Sequence, residues 1–307
     1  MYRTTKSLLY HWDVLDRTSG DDDVMEIVCW NIRWGKGRNG VVDLARIVQT
    51  ATAMGDPDVL CFQEVARHFA ALDGSGEDQV KVFRDLLPGF AALFGAGTDI
   101  GGDAGERRQF GNLILTRLPV FQAHRHLLPR PAIEERRHMQ RAALEVVVGT
   151  SSGPLRITNT HLEYYSAAHR AAQVERLRLL YNEACAHPSF DPGAAGTDAK
   201  PATRPIGRCP AILCGDFNME KSEAAYGQLL QSFADGTPAL LDAWTVVHPG
   251  KEHPATCGIY ELISWPAPNC RDFIFLTPDL AERARTMDSD ATTDASDHQP
   301  LRLVLDS

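Results

Sequence analysis

Several short apolar runs of this sequence end abruptly in an acid, an amide or a histidine, and this recurrence constrains the fold most. The run LCGDFN presents Asp216 and Asn218 directly behind an apolar segment of strand length. Other runs end in the same way, at Asn31 in MEIVCWN, Glu64 in DVLCFQE and His161 in LRITNTH. Polar groups gathered at the ends of apolar strands are costly to bury unless they share a purpose, such as binding a metal and a charged substrate.

Two more segments add to this set of polar strand ends. CRDFIF carries Asp272 in an apolar run, and SDHQPLRLVL places Asp297 beside His298 just before the last strand-like run. A single aspartate after a strand is often only a turn former, so the recurrence carries the argument. The set contains acids, amides and histidines. A serine or cysteine nucleophile is not needed to explain their recurrence.

Helical and strand-like patterns alternate along the chain. A length of 307 residues, 44% of them hydrophobic, favours one large domain over two small ones. Amphipathic spacing predicts helices over residues 43–54, 77–87 and 169–186. Strand-like runs begin at Glu26, Asp58, Leu113, Ala142, Leu155, Ala211, Phe273 and Leu301. We therefore predict a single α/β domain over residues 1–307, with an N-terminal extension at 1–23 and a mobile loop at 187–209.

The longest predicted helix, over residues 169–186, has one apolar side. The helical spacing places Leu177 and Leu180 on that side, and it places Arg170, Glu175 and Arg178 off it. These three charged side chains are therefore expected away from the core.

Cysteine usage and hydropathy bear on the cellular compartment. The seven cysteines are odd in number and form no CxxC pair, which argues against a zinc-cysteine site. Cys29, Cys61 and Cys214 lie inside apolar runs, where a free thiol acts as a small hydrophobe. No run approaches the roughly 20 apolar residues of a membrane helix, and the N-terminus lacks an apolar core of signal-peptide length. A reduced, cytoplasmic protein is the simplest interpretation.

The formal net charge of −9 bears on the binding partners. A protein that grips long nucleic acid usually has an excess of lysine and arginine, so nucleic acid is possible but not favoured as a partner. The segment from His124 to Arg141 nevertheless concentrates five arginines and three histidines against two glutamates. Two interpretations stay open for it: a solvated loop that leads into a strand, or an electropositive rim that attracts an anionic substrate.

Seven short motifs resemble the endonuclease/exonuclease/phosphatase superfamily. They are WNIRWGKGRNG, DVLCFQEV, FGNLILTR, NTHLE, LCGDFN, RDFIFLTP and SDHQPL, and their shared order makes the resemblance specific. The resemblance implies a four-layered α/β sandwich, in which two mainly antiparallel or mixed sheets pack face to face with helices outside. It also implies a divalent-metal phosphoesterase site that acts on an anionic phosphoester, and it leaves the substrate open.

The resemblance assigns the metal side of such a site. Glu64 matches the family's metal ligand, Asn31 the amide that positions it, and Asp297 completes the metal side. A hard carboxylate oxygen suits Mg²⁺ or Mn²⁺. Arg33 stands two residues beyond Asn31, where the apurinic nucleases carry an acid, and this departure favours one strong metal site.

The resemblance also assigns the groups that handle the proton and the phosphate. His161 matches the histidine that donates to a phosphate oxygen, Asp216 the carboxylate that orients or deprotonates water, and Asn218 the amide that holds the phosphate. His298 matches the second histidine, and Asp272 the carboxylate that fixes its tautomer and favours its cation. Whether Asp216 or His298 takes the proton stays open.

Three further residues are expected to line the cleft near the substrate: Asn112, Arg170 and Gln173. Asn112 could equally be an amide in a turn, and Arg170 and Gln173 could equally lie on a solvated helix face.

Two classes of function follow from these patterns. The first is a metal-dependent phosphodiesterase or phosphatase with in-line water attack, and it includes a nuclease and a sphingomyelinase-like phospholipid hydrolase as alternatives. The second is a binding module that has lost catalysis. A degenerate module is expected to lose at least one of the motif's polar residues, and none is missing.

A sphingomyelinase-like enzyme needs an apolar docking hairpin, for which Tyr260–Pro268 with Trp265 is the candidate, and a buried core edge explains this segment equally well.

Overall fold

The computed structural model describes residues 24–102, 105–132, 138–187, 206–260 and 267–306. The predicted N-terminal extension, residues 188–205 of the predicted loop, and Trp265 in the candidate docking hairpin lie outside the described residues. None of the described helices is long and apolar enough to cross a membrane.

The described chain contains twelve strands and seven α-helices. The strands are β1 Val24–Asn31, β2 Val59–Arg67, β3 Ala91–Gly101, β4 Arg107–Thr116, β5 Val120–Leu127, β6 Ala142–Thr150, β7 Gly153–His161, β8 Ala211–Asp216, β9 Leu241–Asp242, β10 Asp272–Leu276, β11 Ala284–Ser289 and β12 Leu301–Asp306. The helices are α1 Leu44–Ala53, α2 Ala70–Asp73, α3 Gln79–Leu86, α4 Ala167–Ala186, α5 Ala224–Leu229, α6 Ala243–Val247 and α7 Pro278–Ala281. A short 3₁₀ turn, Arg33–Gly35, follows β1.

These strands form two six-stranded mixed sheets. The first has the order β11-β12-β1-β2-β4-β3 and the second has the order β5-β6-β7-β8-β10-β9. Within them β1 runs parallel to β2, and β7 runs parallel to β8. The remaining paired strands of both sheets run antiparallel.

Three apolar clusters separate four layers. The central cluster lies between the sheets and includes Ile27, Leu144 and Cys214. A second cluster packs α1 and α3 against the first sheet, and a third packs α4 and α5 against the second sheet. Burial of these apolar faces is the main favourable contribution to the fold. The predicted four-layered α/β sandwich is confirmed.

Helix α4 departs from the predicted orientation of its charged side chains. Arg170 and Arg178 are only 8% and 9% exposed, so the expectation that both lie away from the core is wrong, whereas Glu175 is exposed as expected. The Arg178 guanidinium lies 4.2 Å from the centre of the Phe233 ring and donates to the backbone carbonyl of Leu229. A long arginine is readily buried when carbonyl oxygens and an aromatic face take up its donors.

The segment that begins at His124 is not a loop at its start. Residues up to Leu127 belong to β5, which pairs antiparallel with β6 at the outer edge of the second sheet. Arg141, at the other end of the segment, is buried and lies beside Glu163. Neither the loop nor the electropositive rim therefore describes the whole segment, and residues 133–137 of it lie outside the described residues.

The strand directions bring the polar strand ends to one end of the sandwich. Asn31 and His161 end β1 and β7, and Asp216 ends β8. Asp272 pairs with Asp216 because β10 starts antiparallel to the end of β8. His298 lies just before β12, which runs antiparallel to β1 and starts at the same end.

Candidate active site

Asp216 lies where the two sheets meet. Its Oδ2 accepts a hydrogen bond of 2.9 Å from Asn31 Nδ2, and it lies 3.3 Å from His161 Nε2 and 3.8 Å from His298 Nε2. Its Oδ1 accepts a 2.8 Å bond from the backbone N–H of Asn218. Burial raises the pKa of Asp216 to about 6, Asp272 adds to the rise, and His298 with Asn31 opposes it. One carboxylate thus contacts groups from both sheets.

Glycine is required next to this carboxylate. An ideal Cβ at Gly215 would lie 1.8 Å from the carbonyl oxygen of Thr160, and the φ of Gly215 is +147°. Only glycine allows β8 to approach β7 this closely just before Asp216.

Asn31 connects Asp216 to Glu64. The Asn31 side-chain nitrogen also donates to Glu64 Oε1 at 3.1 Å, while its oxygen accepts the Arg33 N–H at 3.1 Å. The carboxamide is therefore fixed at both ends, and it holds the two carboxylates on either side of one amide nitrogen.

A bulge in β2 presents Glu64. The register between β2 and β4 shifts between Phe62 and Val65, and Glu64 itself has a φ of 60°. A bulge re-aims a side chain that regular pleating would direct elsewhere. Glu64 is half-buried as a result, whereas most of β2 around it is buried.

Asp297 adds a second partly exposed carboxylate on this side. Its Oδ2 lies 3.4 Å from Arg33 Nε. Burial and then the charge of Asp297 raise the pKa of Glu64 to about 7. The charge of Asp297 thus disfavours ionisation of Glu64, and a hard divalent cation bound by these carboxylate oxygens would offset that effect. The residues present therefore fit the metal that the sequence predicts.

His161 and Asn218 form the opposite side of the site. Asn218 Nδ2 donates to the carbonyl oxygen of Leu162 at 3.0 Å and lies 2.9 Å from His161 Nε2. The first bond identifies this atom as the amide nitrogen, so His161 Nε2 accepts its other hydrogen. Burial, together with the charges of Arg141 and His298, holds the pKa of His161 well below its ordinary value. The lowered pKa and the Asn218 contact both favour a neutral His161 with its proton on Nδ1.

Asp272 and His298 form a buried ion pair. His298 Nδ1 lies 2.8 Å from Asp272 Oδ2, and the Trp30 indole N–H donates to the His298 carbonyl oxygen at 2.8 Å. Burial alone would lower the pKa of His298, but the charges of Asp272 and Asp216 outweigh it and hold this pKa well above its ordinary value. Ligand atoms of His298 and of both aspartates lie within 4.8 Å of one another, so this acidic and histidine cluster can also hold a metal ion.

Backbone strain concentrates around the same groups. Among the described residues other than glycine, positive φ values occur at Arg33, Trp34, Glu64, His68 and Asn218. Such conformations cost about 1–3 kcal/mol each and persist where the surrounding structure enforces them. Two of these residues belong to the site itself, and Arg33 and Trp34 follow Asn31 closely.

The predicted substrate-binding residues have partners inside the protein. Asn112 donates to the Ala142 carbonyl oxygen at 2.9 Å, and it lines a cavity of about 10 Å³ together with His161. Arg170 and Gln173 are buried, and their side chains bind the segment that follows His161. Asn112 thus borders a small buried cavity beside His161, whereas Arg170 and Gln173 bind backbone groups near it.

Sequence patterns did not single out three groups that support the site. Arg141 lines the small cavity beside His161. Thr256 Oγ1 accepts the Asp272 N–H at 3.2 Å, and Ser296 Oγ donates to the Asn31 carbonyl oxygen at 2.8 Å. Hydroxyl side chains of this kind are common throughout the sequence, so their positions emerge only from the fold.

Comparisons with known proteins agree with this architecture. The sequence matches the family model described as the Endonuclease/Exonuclease/phosphatase family over residues 28–298. No curated protein matches the chain significantly in sequence.

Three solved structures illustrate the similarity in fold. An endonuclease/exonuclease/phosphatase from Beutenbergia cavernae DSM 12333 is 23% identical, with a TM-score of 0.65 over 92% of this chain and 72% of that chain. TDP2 from D. rerio, complexed with a single strand DNA product, is 20% identical, with a TM-score of 0.60 over 93% of this chain and 100% of its own. The mannosyl-6-phosphatase of Bacteroides thetaiotaomicron VPI-5482 is 15% identical, with a TM-score of 0.57 over 91% of this chain and 98% of its own.

Proposed function

This chain belongs to the endonuclease/exonuclease/phosphatase family, whose members are typically hydrolases of phosphoesters, and we propose that it hydrolyses a phosphoester bond by in-line attack of water. The observation that supports the proposal most is the convergence of Asn31, His161 and His298 on Asp216 Oδ2. Buried acids, amides and histidines in such proximity are costly unless a substrate or an ion uses them.

We assign the metal, Mg²⁺ or Mn²⁺, to Glu64 and Asp297, with Asn31 holding Glu64 in place. The cluster of Asp216, Asp272 and His298 is the other candidate. The 2.8 Å contact between Asp272 and His298 already uses a ligand atom of each residue, which favours Glu64 and Asp297. A bound divalent cation supplies electrostatic stabilisation of the phosphate oxygens.

Asp216 and His298 act on the attacking water. Asp216 accepts a hydrogen bond from the water and orients it. The proton passes to Asp216, or to His298 when its imidazole is neutral, and His298 Nε2 lies 3.8 Å from Asp216 Oδ2. Asp272 keeps His298 oriented through Nδ1 and stabilises its cation. Asp272 is therefore needed to orient His298 whether Asp216 or His298 accepts the proton from water.

His161 and Asn218 hold the phosphate. The Asn218 amide is oriented by Leu162, and a phosphate anion beside His161 would stabilise its protonated form, because a nearby negative charge favours the imidazolium. Protonated His161 then donates a charge-assisted hydrogen bond to a phosphate oxygen. Preorganised donors of this kind stabilise charge that develops in the transition state.

The proposed reaction is compatible with several classes of phosphoester substrate. The similar structures include TDP2 with a DNA product and a mannosyl-6-phosphatase, so the fold accommodates both nucleic acid and sugar phosphates. A nuclease and a sphingomyelinase-like phospholipid hydrolase remain alternatives within the proposed reaction. A catalytically silent module is least favoured, because every polar residue of the motifs is present.

A panel of phosphoesters, assayed with and without Mg²⁺, tests the proposal. We expect Mg²⁺-dependent release of alcohol or phenol from at least one diester or monoester, and we expect Asp216→Asn to abolish it. Asp235→Asn changes an exposed aspartate away from these groups and serves as the matched control. Folded protein that binds Mg²⁺ and hydrolyses no member of the panel would favour the silent module.

A further inference from the structure

Two exposed tyrosines follow the candidate phosphate-binding histidine. Tyr164 is 40% exposed and Tyr165 is 55% exposed, only three and four residues after His161. Their rings lie 5.0 Å apart between centroids at an interplanar angle of 88°. The two partly exposed rings therefore stand at about a right angle to each other next to the end of β7. Large aromatic side chains are favoured at binding surfaces because they offer apolar contact area with little rotamer entropy to lose.

The backbone beneath these rings is held by buried polar groups. The Glu163 carboxylate is buried and accepts the N–H of Tyr165 at 3.0 Å and the N–H of Met139 at 2.9 Å. Arg170 donates to the carbonyl oxygens of Glu163 and Tyr164 at 3.1 and 3.0 Å. Gln173 accepts the Glu163 N–H at 2.9 Å. The tyrosine rings are thus exposed on a backbone that is fixed in advance.

The same segment is connected to the phosphate side of the site. The carbonyl oxygen of Leu162 accepts a hydrogen bond from Asn218, which lies beside His161. Tyr164 and Tyr165 thus follow the proposed phosphate-binding histidine within four residues, on a segment that also contacts Asn218. Fixing an exposed aromatic surface in advance reduces the entropy lost when a ligand binds.

We infer that the corner formed by Tyr164 and Tyr165 binds the nucleobase of a nucleoside phosphoester, an inference that rests on the proposed hydrolysis. Two partly exposed rings at a right angle fit one planar ring that stacks on one of them and makes an edge contact with the other. Glu163 and Gln173 bind backbone groups, and Arg170 binds backbone carbonyls and the Glu223 carboxylate, so this surface offers stacking rather than the array of hydrogen bonds that a sugar needs. The net charge of −9 disfavours a long polyanion and favours a short nucleotide ester.

Two esters with the same leaving group test this inference: p-nitrophenyl thymidine 5′-phosphate and p-nitrophenyl ethyl phosphate. Tyr164→Ala and Tyr165→Ala should raise KM for the thymidine ester relative to the ethyl ester by roughly 5-fold or more, as loss of a stacked base does. Tyr164→Phe and Tyr165→Phe keep the rings and should behave as the wild type. Leu179→Ala removes a large side chain that is 44% exposed on α4, and it serves as the matched control.

Each outcome decides between the proposals. Hydrolysis of both esters with an unchanged KM ratio in the alanine variants overturns the nucleobase inference and leaves the proposed function intact. If neither ester is hydrolysed, equilibrium dialysis with thymidine 5′-monophosphate decides the inference: binding that Tyr164→Ala weakens supports it, and absent or unaltered binding overturns it. Sedimentation with phosphatidylcholine and phosphatidylserine vesicles that depends on the tyrosines, with an unchanged KM ratio, also overturns it in favour of a membrane surface. Thermal melting verifies that each variant is folded.

Discussion

Asp272 begins β10 of the second sheet, His298 lies just before β12 of the first sheet, and the two meet as a buried pair with Asp272 Oδ2 lying 2.8 Å from His298 Nδ1. The Asp272 N–H is held by Thr256, and the His298 carbonyl oxygen accepts from Trp30. Both backbone segments are therefore fixed independently of the ion pair. This independence makes the pair accessible to mutation without loss of the surrounding strands.

We predict that Asp272 and His298 act as one catalytic unit. His298→Ala should lower turnover by orders of magnitude, Asp272→Asn by a similar or smaller factor, and the double variant by little more than the worse single variant. Steady-state kinetics of the four proteins measure the coupling. Strict additivity of the two losses in free energy would argue against it. Lost stability with normal turnover in the folded fraction would assign Asp272 a structural role, so melting curves accompany the kinetics.

The second prediction concerns Glu64. Glu64→Gln should weaken metal affinity and leave the fold intact, because a neutral amide keeps the side-chain shape and loses the charged ligand oxygen. Without metal, the free energy of unfolding should stay unchanged or rise by up to about 1 kcal/mol, since the variant relieves repulsion from Asp297. A metal titration paired with thermal melting measures both quantities. Glu175→Gln, at an exposed position on α4, is the control, and an equal metal midpoint in all three proteins would contradict the assignment.

The third prediction concerns Gly215. Gly215→Ala should destabilise the protein by at least about 2 kcal/mol and reduce turnover, because the new Cβ would lie 1.8 Å from the Thr160 carbonyl oxygen. Gly227→Ala in α5 is the matched control, since a Cβ there would have no neighbour within 4 Å. This control should be neutral or stabilising by about 0.5–1 kcal/mol. Chemical denaturation of both variants provides the comparison, and equal stabilities would refute the close approach of β7 and β8.

The fourth prediction is a pH dependence of stability that arises at Asp242, away from the candidate site. Asp242 is buried and accepts hydrogen bonds from Tyr226 Oη and Thr245 N–H, while His253 Nε2 lies 2.9 Å from it. Burial alone would raise the pKa of Asp242, but these partners outweigh it and lower this pKa below its ordinary value. A lowered folded-state pKa means that the stabilising contribution is present above the unfolded pKa, near about 3.9, and is lost as pH falls through the folded value.

Asp242→Asn tests this contribution. The variant should be less stable than the wild type by about 1–3 kcal/mol near neutral pH, and the difference should shrink below about pH 4. Urea unfolding at a series of pH values measures the difference. Asp85→Asn, at an exposed position in α3, controls for general effects of charge. A difference that grows as the pH falls would have the wrong sign for this explanation.

The sequence predicts the interior of the fold better than its margins. Continuous apolar runs mark the inner strands, such as β1, β2, β8 and β12, because both faces of these strands are largely buried. The strands that it leaves out are β3, β5, β9 and β11, which form the four edges of the two sheets. Edge strands are partly exposed and carry mixed side chains, or they are as short as Leu241–Asp242, so no periodic signal identifies them.

The sequence likewise predicts some residues of the candidate site and misses the contacts of others. Strand-end residues such as Asn31, Asp216 and Asp272 lie together as the sequence suggests, because strand direction alone brings them to one end. The partners of Arg170 and Gln173 could not be foreseen, since helical spacing does not show which carbonyl oxygens a loop brings near. Likewise, the bulge that presents Glu64 depends on the pairing of β2 with β4.

The most direct test of the central claim is the rate of hydrolysis of bis(p-nitrophenyl) phosphate before chelation, after exhaustive treatment with EDTA, and after Mg²⁺ or Mn²⁺ is restored. The assignment of Glu64 and Asp297 to a divalent cation, with Asp216 and His298 acting on the water, predicts that hydrolysis stops on chelation and returns with the metal. Thermal melting of the chelated protein should show that it remains folded. Activity that survives exhaustive chelation in the wild-type protein would contradict metal-dependent phosphoester hydrolysis at this site.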